Sequence, residues 1–383
     1  MSSDYEQSRL GEFFNNYWDI GGGLIFGLLA FFAHKNGSAY LATFFSALSI
    51  ASLSVTVSEV AEILAEKLEE PYGSFVLTFS AVAVEILLLF MILLESANNP
   101  QALETVKGGI ISAVIVDMNV LLGLAVFIGG LSFKQQEHNS ETSNTYVTIL
   151  LVSSIALLVP SVLTYTEHGK NDILQASFII AFLMLLFYST IFIFQTKTHT
   201  HFFKATARSR ILRYKRKMNE HDEDEHTNYV FEKLPIWVNF SNIFGLIFII
   251  GLMAEIFAKD GTLFFNDFGV SIGLVGLLIA IISVAPEIFT ALKAAKNDQI
   301  QRVINIAMGA STVSILLTVP ILMILAYIVG IELPLDFNAL QVGALILTVI
   351  LAWKTTDNGE TNYFEGISHL MFFLCYAIIT ALY

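Results

Sequence analysis

Charge is scarce in this sequence. Asp, Glu, Lys and Arg make up 14% of its 383 residues, whereas soluble globular chains carry about 25%. The few charges are clumped, so long stretches are nearly bare; 55% of the residues are hydrophobic and the mean hydropathy is +0.68. That is too apolar for a soluble domain of this length. The net charge of −13 comes mainly from loop acids and a handful of carboxylates within apolar stretches, so no nucleic-acid partner is expected. Cysteine is nearly missing: Cys375, in the last apolar segment, stands alone, which excludes a disulfide framework or a multi-cysteine metal site. No His-Glu-x-x-His or Walker pattern is present, which argues against a zinc-dependent intramembrane enzyme and against an ATP-driven pump. Ion gradients are left as the energy source, and no cofactor is expected. The start of the chain, through Asp19, is polar and acidic without a basic n-region or a small-residue cleavage site. It reads as a cytosolic tail and not as a signal peptide.

What is abundant is apolar sequence. A run of about 20 mostly apolar residues can cross a bilayer as a helix. Eleven such runs are predicted, at 18–33, 40–65, 72–95, 108–131, 146–164, 173–195, 235–257, 268–293, 302–330, 337–353 and 363–382. The expected class is an all-α polytopic membrane protein with the lipid bilayer as its first partner. Cytoplasmic loops hold the excess of Lys and Arg. With a cytoplasmic N-terminus, sixteen of the twenty basic residues lie inside, and only Lys35, Lys107, Lys170 and Lys259 lie outside. The expected location is a bacterial inner (plasma) membrane.

The segment 196–234 is the only long hydrophilic stretch between spans. It divides a first repeat of five spans (37–195) from a second (235–383), with residues 1–36 forming a tail and a first helix. An odd number of spans per half makes the second half enter the membrane in the opposite sense, the inverted-repeat layout of many secondary transporters. Two motif pairs support a duplication. Ala61-Glu62-Ile63 is matched by Ala254-Glu255-Ile256, and Val82-Ala83-Val84-Glu85-Ile86 by Val284-Ala285-Pro286-Glu287-Ile288. The glutamates are separated by 193 and 202 residues, offsets that differ by only nine.

An ionised side chain at mid-bilayer costs roughly 2.5–3.5 kcal/mol on insertion scales. Glu85 is surrounded by Ser80 to Val84 and by Ile86 to Phe90, so no nearby loop rescues it. Pro286, just before Glu287, removes a helical hydrogen bond and favours a kink or break; freed carbonyls lining a cavity are hard oxygen ligands. Two carboxylates with carbonyl and hydroxyl oxygens suit Ca²⁺ or another hard cation. Two carboxylates close together in a low dielectric cannot both stay ionised cheaply, so protons and cation compete for the same ligands, and that competition is enough for exchange. The bland alternative is an acid satisfied by hydrogen bonds or a Lys or Arg, but no basic residue falls in the core of a predicted span.

Other candidates are weaker. Asp117 and Asn119 lie near the middle of the fourth span, with Ser311 and Thr312 at the matching place in the ninth; membrane Ser and Thr often bond their own backbone. Glu62 and Glu255 fall near opposite mouths as vestibule candidates, or as solvated helix-end acids. In the long loop a basic run from Arg208 to Lys217 suits an anionic leaflet. It is followed by Asp222, Glu223, Asp224 and Glu225, a regulatory candidate or a solvated loop. His199 and His201 are too few for a zinc site.

The chain resembles the ChaA-type calcium(sodium, potassium)/proton antiporters of the calcium:cation antiporter superfamily, from about residue 40 to the end. The most specific stretches are Glu70-Pro71-Tyr72-Gly73-Ser74, Gln195-Thr196-Lys197-Thr198-His199, Pro286-Glu287 with Ala291-Leu292-Lys293-Ala294, and Gln299-Ile300-Gln301-Arg302. The resemblance implies one peripheral helix plus two inverted five-helix repeats. It places the family's paired acids on Glu85 and Glu287, its fourth-span polar position on Asp117, its ninth-span hydroxyl on Ser311, and its cytosolic acidic segment on Asp222 to Glu225. The sequence departs from the family pattern twice: Ser80 to Val84 lacks the asparagine found before the first glutamate in many relatives, and Val313 replaces a glutamine. The expected activity is exchange of Ca²⁺, or of Na⁺ or K⁺, for protons by alternating access. A cation channel, or a Na⁺(K⁺)/H⁺ antiporter with little Ca²⁺ activity, is the alternative. Homo-oligomers are compatible with this reading.

Overall fold

A computed structural model of the protein describes residues 2–68, 72–97, 99–165, 169–199 and 230–382. The loop residues Asp222, Glu223, Asp224 and Glu225, and the basic run before them, lie outside the described residues. Eleven helices among those described are long and apolar enough to cross a membrane. They are α1 (Ser2–Lys35), α2 (Ala39–Lys67), α3 (Tyr72–Glu95), α4 (Gln101–Phe133), α5 (Ser140–Val162), α6 (169–198), α7 (Ile236–Asp267), α8 (Ile272–Ala295), α9 (Ile300–Val329), α10 (Ala339–Thr356) and α11 (Tyr363–Leu382). Every expected span is present. α4 and α7 run well past the expected ends, and polar groups inside the added turns find partners. α4 begins at Gln101, so Lys107 is a buried helical residue paired with Glu104 at 2.8 Å and Asp336 at 2.5 Å, not a loop residue. α7 runs on to Asp267, which places Lys259 inside a helix.

The chain forms two compact units, 1–91 with 226–269, and 92–225 with 270–383. In the first, α1 lies against α2, and α2 against α7. The α1–α2 contact uses small residues, as membrane helices do when their backbones approach closely. A Cβ on Gly23 would come within 2.6 Å of Leu53. The Ser49 hydroxyl donates to the Gly23 carbonyl at 2.7 Å, and Ser52 donates to the Asp19 carbonyl at 2.8 Å. Thr56 donates to the Asp19 carboxylate at 2.6 Å, so this nearly inaccessible acid is satisfied. At the other end of α1, His34 meets the buried Asp260 of α7 at 2.5 Å. The Lys67 ammonium donates to the carbonyls of Phe231, Glu232 and Leu234 around the helical turn Val230–Lys233, where a cation complements exposed carbonyls.

In the second unit α8 crosses α4 where both backbones are bare. A Cβ on Gly276 would stand 2.8 Å from the Gly109 nitrogen and 2.9 Å from the Gly108 carbonyl carbon. α8 is helical without interruption through Pro286, so the expected break is not observed. The proline ring removes one bond, to the carbonyl four residues back, and a helix packed among others tolerates that loss. The irregularity lies elsewhere: besides a π turn at the end of α6 (Phe194–Thr198), α4 opens into one at Val116–Leu121 and α9 into another at Ser314–Thr318. The last two begin 198 residues apart (314 less 116), between the two offsets of the glutamate motifs.

One end of this unit is closed by chain segments that follow even-numbered helices. β1 (Gln135–Glu137) pairs antiparallel with β2 (Glu360–Asn362). Gln136 is fully buried beneath this ladder, donating to Asp298 at 3.0 Å and to the Ala295 carbonyl at 3.3 Å. The Asn139 amide donates to Gln301 at 2.6 Å. At the opposite end Ser161 and Ser177 accept from the amides of Phe337 and Leu335.

His138 sits in the ladder end, its amide donating to the Gly359 carbonyl and its Nδ1 2.9 Å from the Ser143 hydroxyl. Burial lowers its pKa from 6.5 to about 4, against the raising effect of the backbone hydrogen bond at Asn139. The folded state therefore binds fewer protons than the unfolded one between these values. The stabilisation is complete above pH 6.5 and is lost as the pH falls toward 4, amounting to about 3 kcal/mol at most. Thermal unfolding of the purified protein should show a melting temperature that declines over this window, and His138→Gln should flatten the decline.

Candidate cation site

Glu85 lies on the buried stripe of α3 formed with Val82, Leu88, Leu89 and Ile92. The i, i+3, i+4 spacing of this stripe is what a helix turns inward, and the carboxylate is carried with it to a position 8% exposed. Glu287 stands half-buried on α8, one residue past Pro286. Its helix packs on the π turn of α4.

That π turn carries Asp117 and Asn119, both without accessible surface. The extra residue of a π turn rotates side chains out of α register and often marks a functional position. Here Asp117 is directed to α9, where the Ser311 hydroxyl donates to its Oδ2 at 3.1 Å. Asp117 and Ser311, singled out at matching places in the fourth and ninth spans, are thus brought together. Thr312 is buried beside Ser311. Asn119 turns the other way: its amide donates to Thr348 of α10 at 2.9 Å, and its carbonyl meets His369 of α11 at 3.0 Å.

The vestibule candidates fare differently. Glu62 is half-buried on α2. Glu255 is exposed and paired with Lys259 at 2.6 Å, 12 residues before the end of its helix. Among the described residues no group of three His, Cys, Asp or Glu side chains forms a ready-made metal cage. The oxygens at hand are carboxylates and hydroxyls, ligands for hard cations. His369 and Asp19 were passed over in the sequence, and Lys107 was read as a loop residue. An ionisable residue inside an apolar 20-residue segment was the available signal for His369.

The chain belongs to the sodium/calcium exchanger protein family, which matches residues 37–197 and 240–382. It is 26% identical over 330 residues to the sodium-potassium/proton antiporter ChaA of Escherichia coli, covering 86% of each chain. It is 24% identical over 363 residues to a Ca²⁺/H⁺ antiporter of Synechocystis, covering 93% of this chain and 94% of that one. Among solved structures it is similar in fold to native YfkE, with TM-score 0.77, 18% identity and coverage of 95% and 100%. The H⁺/Ca²⁺ exchanger CAX follows with TM-score 0.68, 13% identity and coverage of 97% and 91%. The resemblance read from the motifs is borne out at the level of family and fold.

A hydrogen bond to a charged group contributes about 1.5–3 kcal/mol, and removing one partner costs more than removing both. Ser311→Ala should lower the melting temperature of the purified protein, and Asp117→Asn added to Ser311→Ala should recover part of the loss. Additive losses in that cycle would show that the 3.1 Å contact carries no coupling.

Proposed function

We propose that this protein is a secondary antiporter that exchanges cytosolic Ca²⁺, or Na⁺ or K⁺, for protons by alternating access. Glu85 and Glu287 are the carboxylates shared between cation and proton, with Asp117 and Ser311 as further cation- or proton-binding groups. The observation that carries the proposal is a carboxylate within an apolar span in each half, Glu85 buried on α3 and Glu287 half-buried on α8, in a chain of the exchanger family. A buried ionised acid is retained against its insertion cost only where it has work to do or partners to hold it. Competition supplies the coupling: a cation on the carboxylates excludes the protons, and protonation releases the cation, so no separate proton path is required. Relatives named as sodium-potassium/proton and as Ca²⁺/H⁺ antiporters support the exchange and leave both ion classes as substrates.

The excess of Lys and Arg in loops after even-numbered helices supports a cytoplasmic N-terminus in a bacterial inner membrane. Glu62 serves the inner vestibule in this scheme, and the acids Asp222 to Glu225 serve regulation. The transported ions are the substrates, and the exchange calls on no bound cofactor.

Everted vesicles containing the wild-type protein should dissipate a preformed pH gradient when Ca²⁺, Na⁺ or K⁺ is added. Glu85→Gln and Glu287→Gln should each reduce that response to the level of empty vesicles. Full exchange in either variant removes the assignment, and steady single-channel currents in a planar bilayer would replace the antiporter with a channel.

A further inference from the structure

His369 is a histidine without accessible surface, placed on α11 where the exchange scheme makes no use of it. Its contacts are specific. Nδ1 lies 3.0 Å from the Asn119 carbonyl oxygen, and Nε2 lies 3.0 Å from the Thr355 hydroxyl. The Asn119 amide nitrogen is already donating to Thr348, so its oxygen is the acceptor and His369 Nδ1 carries the proton between them. The backbone is set for this contact, because a Cβ on Gly123, one turn beyond Asn119, would fall 2.8 Å from the His369 Cβ. Thr348 and Thr355 are themselves buried, Thr348 about two turns before the end of α10 and Thr355 next to its last residue.

Asn119 shares the π turn Val116–Leu121 with Asp117, and the two side chains leave it toward different helices. Asp117 meets Ser311 of α9, while Asn119 meets α10 and α11. Closing a π turn to ordinary helix removes its extra residue and turns the chain on one side by about 100° relative to the other. Asp117 and Asn119 keep their present bearings together only while the turn stays open. We propose that His369 is a positioning residue: through Nδ1 it holds Asn119, and with it the π turn that directs the Asp117 carboxylate at Ser311. The inference rests on the exchange reading, in which Asp117 belongs to the cation-binding set, and adds a residue that touches no cation.

The chemistry separates the variants. Asparagine at 369 places an amide N–H where Nδ1–H stands, glutamine carries its amide to the Nε2 position, and leucine supplies neither. Proteoliposomes with a preformed pH gradient, given Ca²⁺, Na⁺ or K⁺ singly, report the half-saturating cation concentration and the maximal rate apart. His369→Leu and Asn119→Leu should each raise the half-saturating concentration about tenfold or more, the scale of one lost buried hydrogen bond. The double variant should be no worse than either single one. His369→Asn should stay within about threefold of wild type, and His369→Gln should behave as leucine does. If the leucine variants do not fold, the asparagine and glutamine pair, both polar, decides alone. Equal effects of asparagine and glutamine, or a fall in maximal rate with unchanged half-saturation, would overturn the positioning role while wild-type exchange persists. A wild type that exchanges none of the three cations for protons overturns the exchange reading and this inference with it.

Discussion

The bilayer charges for every polar group it buries, and the second unit is organised around answering that cost at one place, the π turn of α4. A carboxylate and an amide two residues apart, both without accessible surface, cannot be left to the lipid. Ser311 answers the first; Thr348 and His369 answer the second. Three helices, α9, α10 and α11, are thereby tied to a single turn by hydrogen bonds and not by apolar packing alone. This matters in a membrane, where lipid tails are as apolar as leucine and burial gives little preference for one helix partner over another.

The same logic appears at the helix ends. Gln136, buried beneath the β1–β2 ladder, bonds Asp298 and the Ala295 carbonyl, so the segments after α4, α8 and α10 form one closed surface. In the first unit Asp19 is answered by Thr56, Asp260 by His34, and the carbonyls around Val230–Lys233 by Lys67. Each polar group sits where a neighbouring helix brings its partner, which fixes how far that helix slides along its axis.

Hydropathy and basic-residue placement made the spans legible to within a few residues, because the bilayer imposes one length and one composition on every crossing. They failed where polar residues were internally paired. Lys107 reads as a loop lysine until Glu104 and Asp336 are seen to neutralise it, and Lys259 until it is seen one turn from Glu255. Of the candidate site, the burial of Glu85 was foreshadowed by its apolar flanks, and Asp117 and Ser311 were singled out at matching places of the repeat but not as partners. The part played by His369 was not, since its partner lies 250 residues away and no local pattern encodes that pairing. Pro286 misled for a related reason: proline marks a lost hydrogen bond, but whether a helix breaks there depends on the helices packed around it.

The duplication itself is best seen in what its two halves do with the same backbone irregularity. Val116-Asp117-Met118-Asn119-Val120-Leu121 and Ser314-Ile315-Leu316-Leu317-Thr318 have no residue pattern in common, yet both wind as π turns at the repeat offset. A π turn is an insertion in register, and register is a property of the whole helix that a short sequence match cannot display. Once present, it frees a side chain from α periodicity whatever that side chain is. In α4 the freed positions carry a carboxylate and an amide; in α9 the turn is flanked and filled by hydroxyls, with Ser311 and Thr312 before it and Ser314 and Thr318 within it. An acid on one side and hydroxyl donors on the other is the complementary pair that a single buried carboxylate requires. The repeat thus supplies matching geometry, and the divergence of the two turns supplies the chemistry that lets Asp117 remain buried.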